Sequence, residues 1–321
     1  MRILDAEQVR AAAPMPQLLD AVEGAYRDVA SGRDHSPIRQ RLSLGAGDLM
    51  LMPGLRDRGS GASVKLVTFI PGNPARGLPT IHAVVALFDA ETGEPLAILD
   101  GSTVTAMRTG AASGVSTRLL ARPDARVVAL FGTGAQAVWQ VRAVMAAREI
   151  GEVRVFSRTA AARDAFAASL ADELGEGVRV IAAGSAEAAV RGADVICCAT
   201  TSSDPIFAAE WVTPGAHVSA VGSYRKGMVE LPPEIFAAAA LVAVDSREAV
   251  MEEAGDLNAA LDGGLLRVDG FIEIGSIDTG WAETRDRMAI TVFKSVGLAI
   301  QDLATAELVM ANLRRGEVES S

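Results

Sequence analysis

The feature that most constrains this chain is a strand–loop–helix succession. The apolar run Val127–Phe131 leads into Gly132-Thr133-Gly134-Ala135-Gln136-Ala137, and a helical pattern covers Ala135–Arg148. Glycines in this spacing let the backbone turn tightly and approach a pyrophosphate. The helix that follows offers free N–H groups and a partial positive charge. A second apolar strand, Val153–Phe156, completes a βαβ unit and sets the loop apart from an ordinary tight turn. A dinucleotide site at Gly132, Thr133, Gly134, Ala135 and Gln136 is the expectation.

The end of the second strand bears on which dinucleotide. An Asp or Glu there suits the ribose 2′-OH of NAD. This chain has Ser157-Arg158-Thr159, a guanidinium between two hydroxyls, which suits the dianionic 2′-phosphate. NADP(H) is the preferred cofactor, with NAD(H) also possible. The plainer alternative makes Ser157 a helix cap and Arg158 a solvated surface group.

The rest of the chain falls into two grammars. Up to Leu120 it reads as a helix with Leu18, Leu19, Val22, Ala25, Tyr26 and Val29 on one face. Five strand-like runs (Ile38–Leu44, Asp48–Met52, Ala62–Ile70, Ile81–Phe88, Pro95–Leu99) and a helix over Ser102–Leu120 follow. After the break at Arg122-Pro123-Asp124, strands and helices alternate: helix Ala160–Leu174, then Val178–Ile181, Val195–Ala199, Val218–Val221 and Leu241–Val244 as short apolar strands. That alternation predicts an α/β fold with a doubly wound parallel sheet beside a mixed-sheet domain. The stretch from Ile290 to about Arg314 reads as one long helix, too long for another crossover, and is expected to return to the first domain. The expected division is 1–120 with 300–321, and 121–299. A length of 321 residues suits two domains.

A net charge of −10 argues against a broad nucleic-acid surface, so an anionic ligand must be met by local cations. The three histidines and the adjacent Cys197-Cys198 lack the spacing of a zinc site, and neighbouring strand cysteines face opposite ways, which disfavours a disulfide. With a charged start and no apolar signal or membrane-length run, the cytoplasm is the default location and no membrane partner is expected.

Three cations stand in apolar or small-residue settings: Arg39 in Pro37-Ile-Arg-Gln-Arg-Leu42, Lys65 in Ala62-Ser-Val-Lys-Leu-Val67, and Arg108 in Thr105-Ala-Met-Arg-Thr-Gly110. A buried cation costs several kcal/mol unless it is paired, so Lys65 needs a partner carboxylate or a place on the solvent face of its strand. Arg41 competes with Arg39 for the same strand face.

With Pro37-Ile-Arg39, Val64-Lys65-Leu66-Val67-Thr68, Leu87-Phe88-Asp89, Leu99-Asp100-Gly101, Thr105-Ala-Met-Arg108, Gly132-Thr-Gly-Ala-Gln136, Trp211-Val-Thr-Pro-Gly-Ala-His217, Ala220-Val-Gly222, Asp245-Ser-Arg-Glu-Ala249 and Thr291-Val-Phe-Lys-Ser-Val-Gly297 in this order, nearly the whole chain resembles the ornithine cyclodeaminase/mu-crystallin family. The resemblance implies that Arg39, Lys65 and Arg108 hold the substrate carboxylate beside a nicotinamide. Thr80, Thr200, Val221 and Ser295, with Arg108, then line the nicotinamide half, and Glu253 lies near the substrate. It also implies a homodimer built through the first domain, with a Rossmann domain outside.

Within that family, cyclodeaminases carry an Asp two residues after the Gly of the Val-Gly motif; here Val221-Gly222-Ser223-Tyr224 puts a phenol there. With an ordinary pKa of about 10, a phenol is a poor base at neutral pH. The Glu that such enzymes use for a distal amine is matched by Met50. Both departures favour the NAD(P)H-dependent reductases of imines and ketimines of 2-oxo acids: ketimine, pyrroline-2-carboxylate or iminosuccinate reductases. Alanine dehydrogenase-like or cyclodeaminase-like activity, or a crystallin-like small-molecule binder, are the alternatives. Lys65, His82 and Tyr224 are candidate proton donors, unless the imine binds already protonated. The loops Arg56–Gly61, Asn73–Gly77 and Gly255–Gly264 are candidates for selecting the substrate side chain. Arg41, Arg76 and Arg225 are candidates for a second carboxylate.

Overall fold

A computed structural model describes residues 1–57 and 61–319, so the middle of the loop Arg56–Gly61 and the last two residues of the expected first domain lie outside the described residues. Along the chain run β1 (Arg2–Leu4), α1 (Ala6–Ala12), α2 (Met15–Ala30), β2 (Gln40–Ser43), β3 (Asp48–Leu55), β4 (Gly61–Phe69), β5 (Ile81–Asp89), β6 (Pro95–Asp100) and α3 (Gly101–Leu120). Then come β7 (Val127–Phe131), α4 (Ala137–Ala147), β8 (Glu152–Phe156), α5 (Ala160–Leu174), β9 (Arg179–Ala182), α6 (Ala186–Val190), β10 (Val195–Cys198) and β11 (His217–Ala220). The chain continues through α7 (Pro233–Ala238), β12 (Ala239–Val244), α8 (Arg247–Glu253), α9 (Gly255–Asp262), β13 (Ile272–Glu273), α10 (Trp281–Thr284), β14 (Ile290–Lys294) and α11 (Ala299–Glu319).

These elements form two compact units, Met1–Arg108 with Leu298–Ser321, and Thr109–Gly297. The first division falls inside α3, twelve residues before the expected one at 120. The reason is packing: a Cβ on Gly110 or Gly114 would meet backbone of Trp139 or Ala143 in α4 at 2.5 and 2.8 Å. The C-terminal half of α3 therefore belongs with the parallel sheet.

In unit 1 the sheet runs β1-β6-β5-β4-β3-β2, with β1 parallel to β6 and the other pairs antiparallel. One face of this sheet carries Met50, Met52, Lys65, Val67, Ala83 and Val85, all buried; α11 packs on this side, and α2 packs against α11. Helix α1 is started by a capping box in which Asp5 accepts from Glu7 N and Gln8 N while Gln8 reaches back to Asp5 N. The opposite face is apolar but open: Leu51, Leu66 and Val84 lie in one cross-strand row, with Leu66 38% and Val84 44% exposed.

In unit 2 eight parallel strands run β13-β12-β14-β11-β10-β7-β8-β9. The chain steps from β7 outward to β8 and β9, then returns to the other side of β7 at β10, so the order reverses between β7 and β10. In open sheets of this kind ligands bind outside the carboxyl ends of the strands at such a reversal.

One expectation is overturned. Ile290–Lys294 is not helix but the strand β14, paired on both sides with β11 and β12. A strand buried on both faces reads as a continuous apolar run, which periodicity alone does not separate from a buried helix. Gly297, at φ +83, then breaks the chain before α11 begins. The short edge strands β1 and β13 carry no clear pattern and were not foreseen. Among the described residues, no helix is long and apolar enough to cross a membrane and no cluster of three or more His, Cys, Asp or Glu is placed to hold a metal.

His217 ties α3 to this sheet. Its Nε2 lies 3.0 Å from Ser116 Oγ and its Nδ1 3.0 Å from Thr291 Oγ1, with the ring fully buried. Burial, with Arg285 and Arg148 nearby, pulls its pKa down to about 3. Between pH 6.5 and 3 the unfolded chain therefore binds a proton that the folded one refuses, and stability falls as pH falls. Lowering the pH from 7 to 5 is expected to cost about 2 kcal/mol through this group. In urea titrations at both pH values, His217→Gln should lose less stability than the wild type by that amount.

Candidate active site and cofactor cavity

Unit 1 contains a buried charge cluster. Lys65, in the middle of β4, is 1% exposed, and its Nζ lies 2.7 Å from Asp302 Oδ2 in the first turn of α11. Arg108, 5% exposed, donates from Nε to Asp302 Oδ1 at 3.1 Å and from Nη1 to Gln301 Oε1 at 3.4 Å. Gln301 Oε1 also takes the backbone N–H of Leu298, and its Nε2 donates to Tyr26 Oη. The solvent-face alternative for Lys65 is thus overturned: its partner comes from a helix more than two hundred residues away in sequence.

One carboxylate between two buried cations leaves the cluster positive. Burial pulls the Lys65 ammonium down to about 7; Asp302 opposes this, while Arg108 and Arg39 add to it. Arg39 precedes β2 and is half-buried. Arg41, one residue into β2, is turned to Asp48 at 3.4 Å. An excess of buried positive charge with a lysine poised near neutral pH is suited to an anionic ligand and to proton transfer.

The other candidates of unit 1 separate by face. Met50 is buried on the face that carries Lys65, next to Val67 in register. His82 pairs with Thr68 on the opposite face and is exposed, because only odd positions of β5 share the side of Lys65. Thr80, half-buried, precedes β5 and gives its carbonyl to Ile70 N–H at 2.8 Å.

Unit 2 holds a cavity of about 480 Å³ at the carboxyl ends of β7, β8 and β10. It brings together Gly132, Thr133, Gly134, Ser157, Arg158 and Thr200, foreseen from the sequence, with Phe131, Phe156 and the loop 201–206 excepting Ser203, which were not. The polar run Thr200-Thr-Ser-Ser-Asp-Pro205 after a buried strand was the signal for that wall. Ala135, Gln136 and Thr159 flank the cavity in sequence without lining it.

The residues fit a dinucleotide. Gly132 has φ +102, and a Cβ there would lie 2.6 Å from the Ala199 carbonyl, so the turn demands glycine. A Cβ on Gly134 would meet nothing within 4 Å, leaving its backbone open to a phosphate at the N-terminus of α4.

Further residues of unit 2 bound the ends of β11 and β14. Val221 is buried and donates its N–H to Cys198 O at 3.0 Å. Ser295 Oγ donates to Asp245 Oδ2 at 2.7 Å, and the same oxygen takes the N–H groups of Val296 and Gly297. Thr200 donates from N and Oγ1 to Glu230. Tyr224 is half-buried in the loop after β11, and Glu253 is buried at the end of α8. Asp302, Gln301 and Glu230 carry no signal in the sequence and Asp245 only its place in a quoted run, since acids and amides in apolar stretches look like surface groups until their partners are known.

The family model for the ornithine cyclodeaminase/mu-crystallin family matches residues 1–317. The chain belongs to that family. It is 38% identical over 311 residues to the Delta(1)-pyrroline-2-carboxylate reductase of Bacillus cereus, covering 96% of this chain and 95% of that protein. It is 36% identical over 305 residues to the ketimine reductase mu-crystallin of Mus musculus, covering 94% and 93%. Among solved structures, the Thermococcus litoralis Delta(1)-pyrroline-2-carboxylate reductase in complex with NADH and L-proline superposes with a TM-score of 0.90 at 31% identity, covering 98% of each chain.

Proposed function

We propose that this family member is an NAD(P)H-dependent reductase of imines of 2-oxo acids, an oxidoreductase on CH–NH groups that yields an L-amino acid. A cyclic ketimine of the pyrroline-2-carboxylate type is the best candidate substrate. The observation that carries the reading is the buried Lys65–Asp302–Arg108 cluster with its excess positive charge. It is supported by the apolar Met50 on the same sheet face, which offers nothing to a second amine. The phenol of Tyr224 supports it too, standing where deaminating relatives need a carboxylate.

In this proposal the two guanidiniums of Arg39 and Arg108 take the α-carboxylate, and Asp302 holds Arg108 and Lys65 at fixed separation. The nicotinamide, when bound, supplies a hydride to the imine carbon. As the C=N π pair moves to nitrogen, Lys65 delivers a proton to it and later recovers one from water. Lys65 is favoured over His82, which is exposed on the other sheet face. NADP(H) is the preferred cofactor, supported by Ser157 and Arg158 at the cavity wall. A cytoplasmic location belongs to the proposal, supported by two buried free thiols, Cys197 and Cys198.

A homodimer through unit 1 is also proposed. Its support is the open apolar row Leu51, Leu66 and Val84, which a second copy of the sheet would cover.

Steady-state assays with pyrroline-2-carboxylate, piperideine-2-carboxylate, and pyruvate or oxaloacetate with ammonia should show oxidation of NADPH, with the highest kcat/KM on a cyclic ketimine. NADPH should surpass NADH, and Arg158→Ala should erase the difference. Stabilisation by cofactor with no turnover on any of these would leave a binder instead.

The reductive kcat/KM should fall as pH rises through about 7, because Lys65 must be charged to donate. Lys65→Arg should move that limb out of the accessible range. A limb that stays near 7 in the variant would assign it to another group.

Sedimentation equilibrium should return twice the chain mass, and Leu66→Glu should return the monomer. An unchanged mass for that variant would place the contact elsewhere.

A further inference from the structure

We propose that Glu230 is a positioning residue that locks the loops after β10 and β11 together and so fixes the inner wall of the dinucleotide cavity. This rests on the reading of unit 2 as the cofactor site. Glu230 is fully buried in the segment between β11 and α7. Its Oε1 accepts from the N–H and the hydroxyl of Thr200 at 2.6 and 2.9 Å, and its Oε2 accepts from the N–H groups of Gly222 and Ser223 at 2.7 and 3.0 Å.

Four donors from two loops thus converge on one carboxylate. Only a carboxylate presents an acceptor oxygen to both pairs; an amide would turn its NH₂ toward one of them. The loops are in backbone contact as well. A Cβ on Gly222 would lie 2.2 Å from the Thr200 carbonyl oxygen, so no side chain separates them. The main chain repeats the bracing, since Ile206 N–H donates to Glu230 O and Val229 N–H to Ser202 O, both at 2.9 Å. Thr200, Ser202 and Ile206 all line the cavity, and each is referred to the segment carrying Glu230.

The cost of burying the acid is offset in part by a nearby cation. Lys294, fully buried at the end of β14, lies 3.4 Å from Asp256 Oδ2, and its charge opposes the upward push of burial on Glu230. Removing the charge of Glu230 leaves Lys294 paired with Asp256. Glu230→Gln therefore strands no buried cation while losing one of the two clamped loops.

The test compares wild type, Glu230→Gln and Glu230→Asp in fluorescence titrations with NADPH and NADH, alongside thermal melting and steady-state kinetics. Glu230→Gln should raise the cofactor Kd about tenfold, the scale of a lost pair of charge-assisted hydrogen bonds. Cofactor KM should rise with it, while the KM for the imino acid stays within twofold. Glu230→Asp keeps the charge but is one methylene too short to reach both loops, and should fall between. A purely structural role would lower Tm and leave the Kd of the folded molecules unchanged, and that result overturns the proposal. If Glu230→Gln does not fold, a wild-type Kd in Glu230→Asp overturns it equally. Failure of the unmutated protein to bind either dinucleotide would overturn the cofactor reading itself, and this clamp with it. The Kd measurement does not depend on which substrate is reduced.

Discussion

Asp302 is the interaction on which unit 1 turns. Its carboxylate sits, fully buried, between Lys65 Nζ and Arg108 Nε. Without it two cations would stand uncompensated in the interior, and breaking a buried pair costs about 3–5 kcal/mol. The acid therefore joins β4, α3 and α11, elements drawn from both ends of the sequence. It leaves one positive charge in excess, which suits the carboxylate-bearing substrate proposed for this site. On the proposed reading, structure and chemistry are served by the same atoms, Asp302 holding the fold together and setting the charge that meets substrate.

Unit 2 uses the same device, a buried carboxylate, with backbone N–H and hydroxyl donors in place of side-chain cations. Asp245 gathers Ser295, Val296 and Gly297 behind the end of β14, and Glu230 gathers Thr200, Gly222 and Ser223 behind the ends of β10 and β11. Loops at the carboxyl edge of a parallel sheet have no strand partners to satisfy their N–H groups. A buried carboxylate supplies the missing acceptors and holds the loops in one geometry. At the cavity's other edge glycine does the equivalent work, letting the backbone at 132 approach within reach of Ala199.

How much of this was legible depended on whether the signal was local. The βαβ grammar around Gly132, the helix Ala160–Leu174 and the strands near Lys65 were readable because their hydrophobic periods are set by neighbours in sequence. Ile290–Lys294 was misread because a strand buried on both faces has no period to show. His82 was grouped with Lys65 until the register of β4 and β5 put them on opposite faces. The cations at 39, 65 and 108 were legible as oddities, a lysine in an apolar strand above all. Their shared counter-ion was not, since Asp302 in α11 looks like any helix-surface acid until the fold closes.

By itself, then, the sequence determined the two grammars, the glycine-lined turn with its following helix, and the set of cations that an anionic ligand would meet. Those are properties of short windows, fixed by backbone sterics and by the cost of burying charge. Tertiary structure alone decided that Lys65 is buried and drawn down toward neutral pH, that α3 is shared out between the two units, and which acids brace the ends of the strands. These depend on pairings across tens to hundreds of residues, and burial, register and proton affinity exist only once those pairings have formed. The strand–loop–helix–strand unit around Gly132 raised the expectation of a dinucleotide site from one stretch of sequence; the wall opposite it, from Thr200 to Ile206, is braced by a glutamate that no short window could have picked out.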